Sequence, residues 1–214
     1  MAAALVRPLP REAFFTLVHS QGMVVEAVEM VGSAYELSKA GHYRKIRDSG
    51  ERYFDHPKMI ACIVMLELKI FDWQTLVDAL LHDIREDTYL LSHFRLILNF
   101  GIDVAFDIEA LTHKKGEDFE QYIKRIRKRG WRAVLVKLVD RLHNMRTLST
   151  CSLEKQRKQT AETRQRVIPL VNDLRECLPA RDAWIADYLK KELEGLCAQY
   201  EEEEQLRQSQ GNRE

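Results

Sequence analysis

The stretch that decides the fold is Trp131–Leu148, WRAVLVKLVDRLHNMRTL, where apolar side chains recur at intervals of three and four residues. Val134, Leu138 and Leu142 would lie one turn apart on the same face of an α-helix. The preceding segment Phe119–Arg129 has the same period with a basic opposite face, and a glycine separates the two. Both segments are therefore predicted to be helices.

The remainder of the chain repeats this helical period. It extends from Glu12 to Ala40, with breaks at Gly22 and Gly41, and further segments follow at 59–68, 73–83, 90–100, 104–111, 153–178 and 183–204. No segment alternates with a period of two for more than a few residues, and no hairpin turn separates apolar runs. We therefore predict an all-α fold, a compact bundle of about nine or ten helices.

The composition narrows the class of protein. The 33 basic and 33 acidic residues cancel, so no overall field favours nucleic acid or an anionic membrane surface. No apolar run approaches the roughly 18 residues of a membrane span, and the start of the chain lacks a signal-peptide pattern. The scattered Cys62, Cys151, Cys177 and Cys197 form no CxxC pair. We expect a cytoplasmic protein.

The domain organisation is expected to be simple. Residues 1–11 are expected to form an irregular leader, 12–204 a single domain, and 205–214 a disordered tail. The polar stretch 42–53 is expected to be a loop, after which Asp55 would cap a helix with Pro57 in its first turn.

Three separate segments bring a histidine or an aspartate to the edge of an apolar helix. The adjacent His82 and Asp83 follow an apolar run, Asp140 follows another, and His56 stands at a junction between loop and helix. Burial of such groups is costly unless they are paired. A divalent cation would satisfy them all, because it accepts imidazole nitrogen and carboxylate oxygen together.

Helical spacing adds two further carboxylates to this candidate site. Glu86 follows His82 by one turn, and Asp87 follows Asp83 by one turn, so each pair shares a face. Carboxylates placed one turn from a metal site can hold or deprotonate a metal-bound water. Glu86 and Asp87 are therefore candidate catalytic residues.

Other interpretations of these residues stay open. Lys137 and Asn144 lie one turn before and after Asp140 and would line a pocket wall, but Asp140 could instead form an ordinary ion pair with the neighbouring arginine. A His-Asp dipeptide is also common by chance. The remaining histidines are interpreted as surface or satisfied core residues, although His143 lies one turn from Asp140.

Four blocks of sequence resemble one known family. They are RDSGERYFDHP (47–57), LHDIREDT (81–88), KLVDRLHNMRTL (137–148) and the segment 155–170, which contains Lys155-Gln156, Ala161-Glu162-Thr163 and Pro169-Leu170. In this order, spanning about residues 40–175, they resemble the alarmone hydrolase domain of RelA/SpoT proteins. That domain belongs to the HD superfamily of metal-dependent phosphohydrolases, whose ligands occur in the order H…HD…D.

The resemblance implies a stand-alone helical hydrolase that binds one Mn²⁺. Such an enzyme removes pyrophosphate from the 3′ position of guanosine tetra- or pentaphosphate by attack of a metal-bound hydroxide, leaving GDP or GTP. The implied metal ligands are His56, His82, Asp83 and Asp140. Glu86 and Asp87 would orient the attacking water, Arg47 would pack on the base, and the nucleotide pocket would be lined by Ser49, Lys137 and Asn144. A homo-oligomer is left open.

One departure from the family pattern concerns the substrate. Asp48 replaces the second basic residue, and an aspartate close to the phosphates would repel them. Arg44 and Lys45, just upstream, are the candidates to supply the missing charge. Another phosphorylated nucleotide therefore remains an alternative substrate, whether a 5′-nucleotide, an adenosine analogue of the alarmone or NADPH. A nucleotide-sensing module without catalysis is a further alternative.

Two basic segments have two interpretations each. Leu111–Glu117 could face phosphates or be a solvated connector. Lys124–Arg132 (KRIRKRGWR) could contact nucleic acid. The polar face of an amphipathic helix more often faces water or meets an acidic partner surface, for which Glu201–Glu204 within an oligomer is a candidate. No nucleic-acid partner is expected.

Overall fold

The computed structural model describes residues 7–48, 50–88 and 90–211, with Asp87 and Gly211 described in their backbone alone. These residues form eleven α-helices, one of which, α5, is a single turn. They are α1 (Arg11–Ser20), α2 (Val25–Gly41), α3 (Asp55–Leu66), α4 (Trp73–Leu81), α5 (Ile84–Asp87), α6 (His93–Leu111), α7 (Phe119–Arg129), α8 (Trp131–Arg146), α9 (Leu153–Glu162), α10 (Leu170–Cys177) and α11 (Trp184–Gly211). The predicted all-α class is confirmed.

Helix α8 is the centre of the bundle. It contacts α3, α4, α6, α7, α10 and α11, and every residue from Ala133 to His143 is buried. A helix enclosed on all sides must pair whatever polar side chains it carries. Lys137, Asp140 and Arg141 are such side chains, and they lie along the wall of the site described below.

Glycines in the left-handed region set the breaks between helices. Gly101, at φ 87°, reverses the chain within α6, so the His93 and Phe106 rings lie 5.0 Å apart. Thirteen residues of straight helix would separate them by about 20 Å. This agrees with the two helices predicted on either side of Gly101. Gly22 and Gly130 similarly separate α1 from α2 and α7 from α8.

Two local expectations differ from the structure. Asp55 is not a cap: it is the first residue of α3, and its carboxylate binds Lys58 at 3.0 Å and Arg52 at 3.2 Å. Helix α11 continues to Gly211, so residues 205–211 of the predicted disordered tail are helical, supported by the ion pair between Arg157 and Glu204. Residues 1–6 of the expected leader and 212–214 of the tail lie outside the described residues.

Two observations bear on compartment. Among the described residues, none of the helices combines the length and the apolar character that crossing a bilayer requires. All four cysteines are free thiols, which a reducing environment tolerates.

Candidate metal centre

Four side chains from three parts of the chain converge at one cavity. His56 belongs to the first turn of α3, His82 and Asp83 lie between α4 and α5, and Asp140 lies on α8. The Nε2 atom of His82 is 3.0 Å from Asp83 Oδ2, and that of His56 is 3.5 Å from the same oxygen. His56 Nε2 is also 3.2 Å from Asp140 Oδ1. The structure thus brings together all four residues that the sequence singled out.

The position of the His82-Asp83 pair follows from how α4 starts and ends. The Asp72 side chain caps α4 by accepting from the Thr75 N–H at 2.9 Å. The helix then buries every residue from Thr75 to Leu81 and ends there. The pair therefore emerges directly from the core, where it cannot be left without partners.

The donor atoms fit a divalent cation. His82 donates from Nδ1 to the Ala79 carbonyl at 2.9 Å, an arrangement that turns Nε2 towards the cluster. That Nε2 atom is buried, and carboxylate oxygens lie close to it: Asp83 Oδ2 at 3.0 Å and Asp140 Oδ1 at 3.8 Å. His56, His82 and Asp83 offer ligand atoms within 4.8 Å of one another. With Asp140 they supply imidazole nitrogens and carboxylate oxygens, a set that manganese, iron or zinc accepts.

The electrostatics favour positive charge where these groups meet. Burial disfavours a charged His82, yet the Asp83 carboxylate raises the pKa of that imidazole to about 9. Burial also works against a charged Asp83, but His82 and His56 hold its pKa well below the usual range. Burial works against a charged Asp140 as well, but Lys137 holds the pKa of that carboxyl well below its usual range. Both carboxylates are therefore ionised at neutral pH.

Polar neighbours on α8 hold Asp140 in place. Lys137 Nζ donates to Oδ2 at 2.9 Å, and Asn144 Nδ2 donates to Oδ1 at 2.7 Å. Arg47 in turn donates to Asn144 Oδ1 at 2.6 Å. The predicted pocket residues Lys137 and Asn144 do line the cavity, and they also orient the acid beside them.

Tyr53 and His143, which the sequence analysis did not assign to the site, also contact the four convergent side chains. The Tyr53 hydroxyl donates to Asp83 Oδ2 at 3.2 Å. His143 Nδ1 lies 2.7 Å from His56 Nδ1, and burial followed by the nearby His56 lowers the pKa of His143 to about 2. We assign His143 Nδ1 as the neutral acceptor of a hydrogen bond from His56 Nδ1. The other ring nitrogen of His56, Nε2, then faces the two carboxylates. The position of His143 one turn after Asp140 was the available signal.

Glu86 stands on the wall of the same cavity, which has a volume of about 290 Å³. Its carboxylate accepts a short hydrogen bond from the His113 backbone N–H, in the connection between α6 and α7. Desolvation at the cavity wall, followed by repulsion from Asp83, raises the pKa of Glu86 to about 7. A carboxylate tuned to that range is suited to moving a proton at neutral pH. The side chain of Asp87 lies outside the described structure.

Of the other predicted substrate-binding residues, only some lie at the metal cavity. Arg47 lines the cavity. Arg44 and Lys45 do not: Arg44 adopts a left-handed φ of 61°, and both side chains line a separate cavity beside α2. Ser49 lies outside the described residues. His113 brings the 111–117 segment to the cavity, whereas Lys114 pairs with Glu109 at 2.9 Å.

Asp48 has a partner that the sequence did not reveal. Its carboxylate binds Lys155 Nζ on α9 at 2.6 Å, and this contact lowers the pKa of Asp48. The pair is largely exposed, so it adds little stability. The ion pair nevertheless neutralises the negative charge of Asp48, the residue that departs from the family pattern.

The arginines of the Lys124–Arg132 cluster are engaged within the molecule. Arg129 and Arg132 bind Asp107 at 2.7 and 3.0 Å, and Arg127 binds Asp173 at 2.8 Å. On the acidic segment, Glu201 pairs with Arg164 and Glu204 with Arg157 rather than with this cluster. The arginines of this cluster therefore hold helices of the same chain together, an arrangement that the sequence analysis did not anticipate.

The fold and the cluster together define a class: an all-helical domain that gathers two histidines and two aspartates from three segments of the chain. Residues 34–174 match the HD domain family. The chain therefore belongs to the HD domain family.

The sequence is also similar to those of individual proteins. The chain is 35% identical over 159 residues to the bifunctional (p)ppGpp synthase/hydrolase SpoT of Escherichia coli K12, an alignment covering 70% of this chain and 22% of that protein. It is 36% identical over 187 residues to a GTP pyrophosphokinase of Myxococcus xanthus, covering 81% and 23%. The chain thus spans about a fifth of the length of these relatives.

A solved structure gives the same picture of the fold. The chain is similar to a metazoan ortholog of SpoT, described as hydrolysing ppGpp, with a TM-score of 0.63. The match covers 83% of this chain and 96% of that one, at 24% identity. At that identity the likeness shows the fold alone.

Proposed function

We propose that this protein is a metal-dependent hydrolase that removes the 3′-pyrophosphate from guanosine tetra- or pentaphosphate. The observation that carries the proposal is the convergence of His56, His82, Asp83 and Asp140 beside Glu86. The similarity to (p)ppGpp hydrolases over 70% of the chain supports the substrate class. The products would be pyrophosphate and GDP or GTP.

The four convergent residues would hold the cation, which we propose to be Mn²⁺. When bound, it would supply Lewis acidity and favour ionisation of water near neutral pH. Glu86 would accept the proton of the attacking water, because its pKa is close to 7. Water oxygen would bond to the phosphorus attached to the 3′ oxygen, and the bond between that phosphorus and O3′ would break. The 3′ oxygen would then leave and take up one proton from solvent to become the nucleotide hydroxyl.

Cationic side chains of the cavity would position the substrate. Arg47, Lys137 and Arg141 line the wall and can face phosphate oxygens. Arg47 also lies 5.9 Å from the centre of the Tyr53 ring, so its planar face is available beside a base. Asp87 and Ser49 remain predicted contributors from the family resemblance.

A panel of phosphorylated nucleotides tests the substrate. Protein loaded with Mn²⁺ is incubated with ppGpp, pppGpp, ppApp, GMP or NADPH, and the products are separated by ion-exchange chromatography. We expect GDP and pyrophosphate from ppGpp, with no turnover by the Asp83→Ala variant. Release of orthophosphate from GMP or NADPH, with ppGpp left intact, would support the alternative substrate. If every compound stayed intact although the ion was bound, the sensing module would be supported.

Compartment and assembly are part of the proposal. The four free thiols favour the cytoplasm. We propose a nucleotide as the partner and expect neither a membrane nor a nucleic acid; against the latter, the arginines of the basic cluster are paired within the molecule. A homo-oligomer stays open and is tested by light scattering.

A further inference from the structure

A second cavity lies behind the loop that carries Arg47 and Tyr53. It lies between the start of α1, the second half of α2, the 42–46 part of the loop with Arg52 and Phe54, and Lys58 in α3, and its volume is about 580 Å³. That volume is typical of small-molecule sites. Among the described residues, it shares no lining side chain with the candidate metal centre.

This second cavity is strongly cationic. Half of its twelve lining residues are basic, namely Arg11, Lys39, Arg44, Lys45, Arg52 and Lys58, and no described lining residue is acidic. Two carboxylates just outside the lining pair with four of these cations: Glu36 with Arg11 and Lys39, and Asp55 with Arg52 and Lys58. With Lys45 left out of the count, five positive charges against these two negative ones leave a formal excess of three. Such an excess in a concave site attracts a multiply charged anion.

Aromatic surface accompanies the charge. Tyr43 is 71% exposed and lines the cavity, with the Arg44 guanidinium 5.1 Å from the centre of its ring. Tyr35 and Phe54, whose ring centres are 5.0 Å apart, form the buried floor. An exposed ring beside an arginine is the arrangement on which a nucleobase stacks.

We propose that this second cavity binds a nucleotide, with the phosphates against its cations and the base against Tyr43. The site is separate from the metal centre but joined to it by the loop. His42 lines the second cavity and stacks at 4.7 Å on Tyr53, whose hydroxyl contacts Asp83. The proposal does not depend on hydrolysis, because binding can be measured without turnover.

Calorimetric titration of the full chain in EDTA tests the site, with GTP and inorganic tripolyphosphate as the two probes. Lys39→Gln should weaken binding of both probes about tenfold, the order expected for loss of one charge-assisted contact. Tyr43→Leu should weaken GTP about tenfold and leave tripolyphosphate unchanged. Both side chains are exposed, and unchanged melting temperatures would show that the variants are folded.

Lys190→Gln is the matched control for Lys39→Gln. Lys190 is 48% exposed and 3.9 Å from Glu194, while Lys39 is 55% exposed and 3.9 Å from Glu36. The control should bind GTP like the wild type. The proposal is overturned if GTP does not bind at millimolar concentration, if Lys39→Gln binds normally, or if tripolyphosphate binds as tightly as GTP.

Discussion

Replacing Lys137 with methionine removes the ammonium group that holds Asp140 while keeping most of the side-chain volume. Lys137 is 9% exposed, and its Nζ lies 2.9 Å from Asp140 Oδ2 and 5.0 Å from the centre of the Tyr122 ring. Burial alone would lower the pKa of Lys137, yet Asp140 raises it. The folded state therefore depends on this ion pair.

The size of the effect follows from the geometry. Two unit charges 2.9 Å apart attract by about 6 kcal/mol at an effective dielectric constant of ~20. Part of that attraction is offset by the desolvation of the ammonium group, which the methionine variant avoids. Breaking a buried pair and leaving its carboxylate behind costs roughly 3–5 kcal/mol. Since Asn144 still donates to Asp140, we expect a loss of about 3 kcal/mol in the free energy of unfolding.

Urea denaturation in EDTA and in excess Mn²⁺ measures this loss under two conditions. In EDTA the midpoint should fall in Lys137→Met and stay unchanged in the exposed control Lys190→Met. In Mn²⁺ the difference between variant and wild type should shrink, because a cation held by Asp140 compensates the carboxylate that Lys137 leaves behind. A loss below about 1 kcal/mol in EDTA, or an equal loss under both conditions, would refute the proposed role of Asp140.

Three further outcomes are expected. Wild-type kcat/KM for ppGpp should rise with pH through about 7 as the Glu86 carboxylate deprotonates, and Glu86→Gln should lose that rise together with about 100-fold or more of the rate. Asp83→Ala should lose Mn²⁺ in equilibrium dialysis, and retention of one ion per chain would contradict its assignment. Arg146→Met should lower the free energy of unfolding by roughly 3 kcal/mol, because it removes the two contacts at 2.9 and 3.0 Å that Arg146 makes with the buried Glu67 carboxylate, to which the Tyr188 hydroxyl still donates. Arg181→Met, at an 85% exposed side chain, is the control and should change nothing.

The sequence predicted the helical class and the convergence of the four His and Asp residues. Both rest on local pattern: the period of Trp131–Leu148 and the charged groups that directly follow apolar runs. His82 and Asp83 emerge where the buried helix α4 ends, so their position could be predicted from the sequence. Asp140 lies inside α8, and it was grouped with them because it also follows an apolar run.

What the sequence did not predict depends on partners far along the chain. Asp48 and Lys155 are 107 residues apart, and no spacing rule relates them. Arg44 and Lys45 were expected beside Arg47 because they are close to it in sequence, but the left-handed Arg44 turns the loop towards α2. The tail after residue 204 has a polar composition that favours disorder, yet it continues the helix that packs on α9.

The charges that line the metal cavity bear on which substrate it can bind. In the metal cavity, the described lining residues include three basic side chains, Arg47, Lys137 and Arg141, and three carboxylates, Asp83, Glu86 and Asp140. These side chains together have little positive excess with which to attract a nucleotide carrying four or more phosphates. A divalent cation held in this cavity would add the positive charge that such a substrate needs. The departure at Asp48 matters less than its position suggested, because Lys155 already neutralises it.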